Sequence, residues 1–157
     1  MKNKIKTNFF SQSKKWPRRI PRIKEITLKT IKLMSNFFSN KSCYYINLVL
    51  SDKDILKKLN KRFKNKYKDT DVLTFVSNID DKYIGKIFYC DIFFSIDTIH
   101  NYINKNKIDF YDHFNHLLIH SILHINGYDH KNLNQFKKMK SIEIKILKKL
   151  EIENPYK

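Results

Sequence analysis

His120-Ser121-Ile122-Leu123-His124-Ile125-Asn126-Gly127-Tyr128-Asp129-His130 reads as H-x-x-x-H-x-x-G-x-x-H. On an α-helix, residues i and i+4 project from one face, one turn apart. His120 and His124 can therefore aim both imidazoles at one ion. Gly127 is one of only two glycines in the chain. Glycine ends a helix readily because it adopts the left-handed conformation without a Cβ clash. A helix that stops there lets the chain turn back, so that His130 approaches from outside it. Three neutral imidazoles arriving from two directions leave a fourth tetrahedral position open, the arrangement of a catalytic zinc site. The spacing thus predicts a metal centre at His120, His124 and His130.

The helix bearing the first two histidines is expected over Phe110–Asn126. Phe114, Leu117, Leu118, Ile122, Leu123 and Ile125 surround it on most faces, the pattern of a buried helix. Beyond it, Asn132 and Gln135 give a capping signal for a last, amphipathic and lysine-rich helix through Leu150. Upstream, Ser95 caps a short helix through about Ile103. Tyr83–Phe94 and Asp71–Ser77 read as strands, with Gly85 as a bulge in the former. Ser51 with Asp54 resembles a capping box for a helix from Asp52 to Phe63, and Lys64–Asp69 follows as a charged loop. Ser42–Leu50 (SCYYINLVL) is a strand by its aromatic and β-branched content. Ile23–Phe38 has helical spacing, with Pro21 suited to its start. Residues 1–19 are basic and broken by Pro17, and read as a first strand around Lys4–Phe10 or as a loose basic arm. The expected fold class is α+β: one domain over residues 1–157, a small mixed sheet of about four strands covered by helices, with the ligand-bearing helix buried.

A chain of 157 residues with 41% hydrophobic content and 14% aromatic content has material for one sizeable core. It has no alanine, and Lys outnumbers Arg by 28 to 4, a skew that suggests AT-rich coding. The net charge of +17 favours a polyanionic partner, RNA or DNA. Two cysteines, Cys43 and Cys90, are too few for a disulfide framework, and the basic N-terminus lacks a signal-peptide apolar core. A cytoplasmic location is therefore expected, with no membrane span.

Two stretches together resemble one family. His116-Leu117-Leu118-Ile119-His120 through His130 is similar to the H-G-x-L-H-L-x-G-Y-D-H signature of the YbeY endoribonucleases, the bacterial rRNA maturation factors. Leu59-Asn60 followed by Thr70-Asp71-Val72-Leu73-Thr74-Phe75 looks like the family's L-N…T-D-V-L-S-F block. Ile84-Gly85 through Cys90 looks like its L-G-D-I-V-I-C strand, and Glu153-Asn154-Pro155-Tyr156 like its C-terminal close. The likeness covers roughly residues 43–156. It implies a zinc-dependent endoribonuclease acting on single-stranded RNA, in maturation of the 3′ end of small-subunit (16S) ribosomal RNA and in ribosome quality control. The small ribosomal subunit is then a partner, and no DNA specificity is expected. The ligands carry over to His120, His124 and His130 around one zinc ion. Three departures stand out. The family's H-G becomes His120-Ser121, its G-D becomes Gly85-Lys86, and its functional Arg in L-N-x-x-Y-R becomes Lys64. Lysine keeps the charge and loses the planar fork that grips phosphate bidentately.

Lys64 is accordingly expected to neutralise charge on the scissile phosphate. His116, one turn before His120, is expected to orient substrate or to pack, and Asp129 to hydrogen-bond a ligand imidazole or to serve as a helix-terminal turn residue. Two other readings compete. One is a non-catalytic RNA-binding or ribosome assembly factor with a structural metal. The other is a metzincin-like metalloprotease, whose H-E-x-x-H-x-x-G-x-x-H site has the same spacing. Here its essential Glu is Ser121.

Overall fold

The computed structural model describes residues 4–66 and 69–157. Among the described residues four strands and five α-helices follow in the order β1 (Lys4–Ser11), α1 (Ile20–Leu33), β2 (Ser42–Ser51), α2 (Lys53–Lys64), β3 (Val72–Asp81), β4 (Gly85–Ser95), α3 (Ile96–Asn106), α4 (Phe110–Ile125) and α5 (Leu133–Lys149). The sheet runs in the order β1-β2-β4-β3, a mixed α+β arrangement as expected. β1, β2 and β4 are parallel, and β3 returns antiparallel on β4.

The N-terminal segment is not a loose arm. Lys4 pairs with Cys43 and the register holds through Ser11 and Leu50. A parallel neighbour needs a crossover, which α1 provides. Beyond the strand, Trp16 is fully buried, donates its indole N–H to the Ser51 carbonyl at 2.8 Å, and meets Phe110 and Phe114 edge-on. Of the remaining predicted features, residues 1–3 of the arm and residues 67 and 68 of the loop expected over 64–69 lie outside the described residues.

Boundaries shift where local chemistry overrides the apolar period. α1 buries Ile23, Ile26, Thr27, Thr30 and Ile31, but it ends at Leu33 and tightens into a 3-10 turn over Ser35–Phe37. Serine and asparagine compete with the backbone for hydrogen bonds and so favour turns. The cap of α2 is Asp52, not Ser51: its carboxylate accepts from the Asp54 and Ile55 N–H groups at 3.0 Å each. Ser51 closes β2 and is fully buried. The caps expected at Ser95 and Asn132 are in place, accepting from Thr98 and Gln135.

Gly85 sits at a turn rather than a bulge. The Asp81 carboxylate accepts from the N–H groups of Tyr83 and Ile84, and β4 starts at Gly85 with φ +90°. A Cβ there would lie 2.5 Å from the Lys41 carbonyl oxygen, a backbone atom that cannot swing aside. Gly85→Ala is expected to cost about 1–3 kcal/mol through forced left-handed strain and this contact. The check is a urea unfolding curve, in which an unchanged midpoint would refute the strain.

The core lies on one face of the sheet. Ile46, Leu48, Leu50, Ile92 and Phe94 point into it against α1 and α4, and Phe94 meets Phe114 at 4.5 Å between ring centres. α4 is buried on nearly every face, and it also flanks β3, the edge strand. No helix is long and apolar enough to cross a membrane, among the described residues.

Candidate metal centre

α4 is capped by Asp109, whose carboxylate accepts from the Tyr111 and Asp112 N–H groups at 2.8 and 3.1 Å. From that fixed start, His113, His116, His120 and His124 fall along one face. All four line a cavity of 620 Å³ between α4, β3 and the end of α2. At the other end Gly127 takes φ +88°, its N–H donates to the His124 carbonyl, and the Tyr128 N–H reaches the Leu123 carbonyl. These two bonds form a Schellman motif, and Tyr128 is anchored edge-on against Phe37. The turn brings His130 back, with ring centres 5.3 Å from His120 and 5.0 Å from His124. One nitrogen from each of His120, His124 and His130 lies within 4.8 Å of the other two.

The hydrogen bonds around these rings decide their tautomers. His124 Nδ1 faces the Tyr128 carbonyl at 2.9 Å, an acceptor only, so Nδ1 holds the proton. His120 Nδ1 lies 2.6 Å from the Glu143 carboxylate and likewise donates. Both Nε2 atoms are therefore bare in the neutral rings, and they face each other at 3.0 Å. Two lone pairs at that distance repel unless a cation lies between them. Tetrahedral zinc with Zn–N near 2.0–2.1 Å separates two nitrogens by about 3.3 Å, so a small opening of the pair accommodates it. The donor set fits a metal ion. Burial, and then the proximity of His120 and His130, pushes the His124 imidazole down to about 4, so it is neutral and ready to ligate at pH 7.

Glu143 on α5 organises this side of the cavity. It is 1% exposed and accepts from His120 Nδ1, from His116 Nε2 at 3.0 Å and from the Tyr156 hydroxyl. Burial alone would favour the neutral acid, but the donors from His116, His120 and Tyr156 bring the carboxyl down to about 2. The Tyr156 hydroxyl is raised by its burial and by the carboxylate it serves. His116 thus acts through Glu143 while lining the cavity.

A second pair lies further along the wall. His113, 4% exposed, has Nε2 at 3.1 Å from Asp71, and its ring stacks on Tyr102 at 4.4 Å. Lys64, the last residue of α2, lines the same cavity as the three histidines. Arg62 lies over the Phe63 ring instead.

Asp129 does not touch a ligand imidazole. Its carboxylate accepts from the backbone N–H of His130 at 2.7 Å and faces Lys131 at 3.5 Å, so it fixes the chain on which His130 sits. The carboxylate that does hold one of the three clustered imidazoles, that of Glu143 against His120, has no counterpart in the sequence reading. It lies on a helix read as a basic surface, yet it falls in the stripe of Met139, Ile146 and Leu147 that α5 buries. An acid within an apolar stripe was the available signal.

The family model described as Endoribonuclease YbeY matches residues 8–151. The Endoribonuclease YbeY of Ehrlichia chaffeensis is 41% identical over 111 residues, covering 71% of this chain and 70% of its own. That of Ehrlichia ruminantium is 38% identical over 146 residues, covering 91% and 90%. That of Francisella tularensis is 31% identical over 136 residues, covering 84% and 80%. The family-model match spans the histidine cluster and most of the sheet, and with these relatives it shows that the chain belongs to the YbeY endoribonuclease family.

Proposed function

We propose that residues 1–157 act as one zinc-dependent domain that cuts single-stranded RNA in the cytoplasm. Its substrate would be ribosomal RNA at the 3′ end of the small-subunit species, its partner the small ribosomal subunit, and its wider role ribosome quality control. The observation that carries this reading is the pair of facing, proton-free Nε2 atoms on His120 and His124, beside His130 and across a cavity from Lys64.

His120, His124 and His130 are the proposed ligands. A bound zinc supplies Lewis-acid charge that polarises a phosphate oxygen or acidifies water. The chain's own residues do the rest. Glu143 and the Tyr128 carbonyl hold the two α4 imidazoles in the ligating tautomer. Lys64 presents its ammonium to the phosphodiester and neutralises charge that builds up as the strand breaks. His116 and the His113–Asp71 pair supply further polar contacts along the wall. Asp129 keeps His130 in place. A protease reading has no support at the position after the first histidine: Ser121 is fully buried.

The test uses the purified protein with a single-stranded ribosomal RNA fragment, the same sequence as a duplex, and the matching DNA. Cleavage of the single-stranded RNA alone, lost with chelator and restored by zinc, is expected. Binding without products in any arm would favour the assembly-factor reading.

Lys64→Ala is expected to slow single-turnover cleavage by about 10²-fold, the scale of losing one electrostatic donor. Metal content should stay at wild-type level, because Lys64 is not a ligand. Loss of metal from this variant would contradict the assignment, as would full activity. Lys64→Arg should match or exceed the wild type, since guanidinium grips phosphate bidentately.

A further inference from the structure

The sheet has a second face, opposite the core, and α2 covers only part of it. Strand register places four residues of β1 on this face, Lys4, Lys6, Asn8 and Phe10, all exposed. Their row partners on β2 and β4 follow from pairing: Tyr45 and Tyr89 beside Lys6, Asn47 and Asp91 beside Asn8, Val49 and Phe93 beside Phe10. A cavity of 510 Å³ opens here, lined by Phe10, Asn47, Val49, Asp91 and Phe93 among others.

Its geometry is that of a slot. Phe10 is 52% exposed, Phe93 is half-buried and Val49 between them is 7% exposed. Phe10 and Phe93 stand on strands two apart, roughly 9–10 Å in the pairing direction. A planar ring between two others needs carbon contacts of about 3.5 Å on each side, and strands spaced this far apart are compatible with one heterocycle between side chains of the same row. Phe75 packs edge-on with Phe93 from the β3 side, at 5.9 Å between ring centres. The polar wall is a ladder: the Asn8 amide donates to Asn47 at 3.1 Å, and the Asn47 amide donates to Asp91 Oδ1 at 2.8 Å. Among the described residues, Asp91 Oδ2 has no side-chain partner. One row further on, Tyr45 and Tyr89 stack at 5.5 Å, with Lys6 at 5.6 Å over Tyr45.

We propose that this face is a second RNA contact, in which a guanine of a single strand lies between Phe10 and Phe93 and donates its N1–H and 2-amino hydrogens to the Asp91 carboxylate. A carboxylate is an acceptor only. Guanine offers two adjacent donors on its pairing edge. Adenine and cytosine set a lone pair beside the amino group, and uracil flanks its single N–H with carbonyls. Aromatic stacking retains an unpaired base, and Lys4 and Lys6, further along β1 on one side of the slot, are placed for the phosphates on that side. The net charge of +17 complements the strand. The slot rests on the reading that RNA is the substrate, and it lies on the other side of the sheet from the histidines.

The experiment measures anisotropy of labelled ten-nucleotide uridine strands carrying one central guanosine, adenosine or inosine, in chelator so that nothing is cut. The guanosine strand should bind on the order of tenfold tighter than the adenosine strand, with inosine, which lacks the amino group, between them. Asp91→Asn should erase the guanosine preference and keep the residual affinity. Phe10→Ala, at an exposed position, should weaken every strand on the order of tenfold. Equal binding of guanosine and adenosine strands, unchanged in Phe10→Ala, overturns the slot and leaves the nuclease reading standing. Failure to bind any strand overturns both. Light scattering is the third arm: a fall from dimer to monomer in Phe10→Ala means that a second copy covers this face, which overturns the proposal.

Discussion

His120→Ala is expected to abolish strand cleavage and metal retention together, and to leave RNA binding largely intact. His120 offers one of the three clustered nitrogens proposed to hold the metal, and it is the one whose other nitrogen is held by Glu143. Removing it leaves two ligands and takes one donor from a buried carboxylate. Lewis-acid stabilisation worth several kcal/mol corresponds to at least about 10³-fold in rate. Binding survives because phosphate contacts by many lysines supply most of it, and that binding should weaken steeply with salt. The measurement is a gel of cleavage products beside a metal assay, with wild type and variant purified identically. Equal cleavage by both would mean a contaminating nuclease or a misplaced site. A variant that keeps its zinc and loses cleavage would make His120 something other than a ligand.

The half of this protein that carries the histidine cluster was legible because its signals are local. The spacing of His120 and His124 and the glycine at 127 are helix geometry and helix termination, both properties of neighbouring residues. They return in the structure as one ring pair and a Schellman turn. Lys64 was found by alignment of a motif with a family pattern, and it does line the cavity. What periodicity could not reveal is pairing at long range. The strand at the N-terminus exists through its partners 39 residues on, Lys4 with Cys43 to Ser11 with Leu50, and its local sequence reads equally as that strand or as a loose basic arm. For Asp129 the sequence leaves open an imidazole partner or a role in the turn. The backbone N–H of His130 is adjacent, and it wins the carboxylate. Glu143 lies 23 residues from His120 on another helix, where a count of lysines hid it. The outer slot joins β1, β2 and β4, and only the order of strands brings Phe10 opposite Phe93.

Glu143→Gln and Glu143→Ala should each weaken metal binding by about 10–100-fold, the usual cost of removing the group that orients a ligand histidine. The carboxylate accepts three donors, from His116, His120 and Tyr156. Glutamine offers one oxygen and one amide nitrogen, so at least one of those donors meets another donor. Alanine leaves all three without an acceptor in a site where the carboxylate was 1% exposed. Each orphaned buried group costs about 1–3 kcal/mol, so Glu143→Ala should also lower stability clearly, beyond its effect on the metal. Acid sensitivity separates the charge from the packing. The folded carboxyl is brought from 4.5 down to about 2. A depressed carboxyl contributes stability that is complete above its unfolded value and is lost as pH falls through the folded one. The wild type should therefore lose this contribution between pH 4.5 and 2, while Glu143→Gln, having no such proton to bind, shows a flatter acid limb. A chelator competition gives the affinity, and urea midpoints at stepped pH give the limb. Wild-type zinc affinity in both variants would show that Glu143 merely packs, and that the facing nitrogens of His120 and His124 are held by the Tyr128 turn alone.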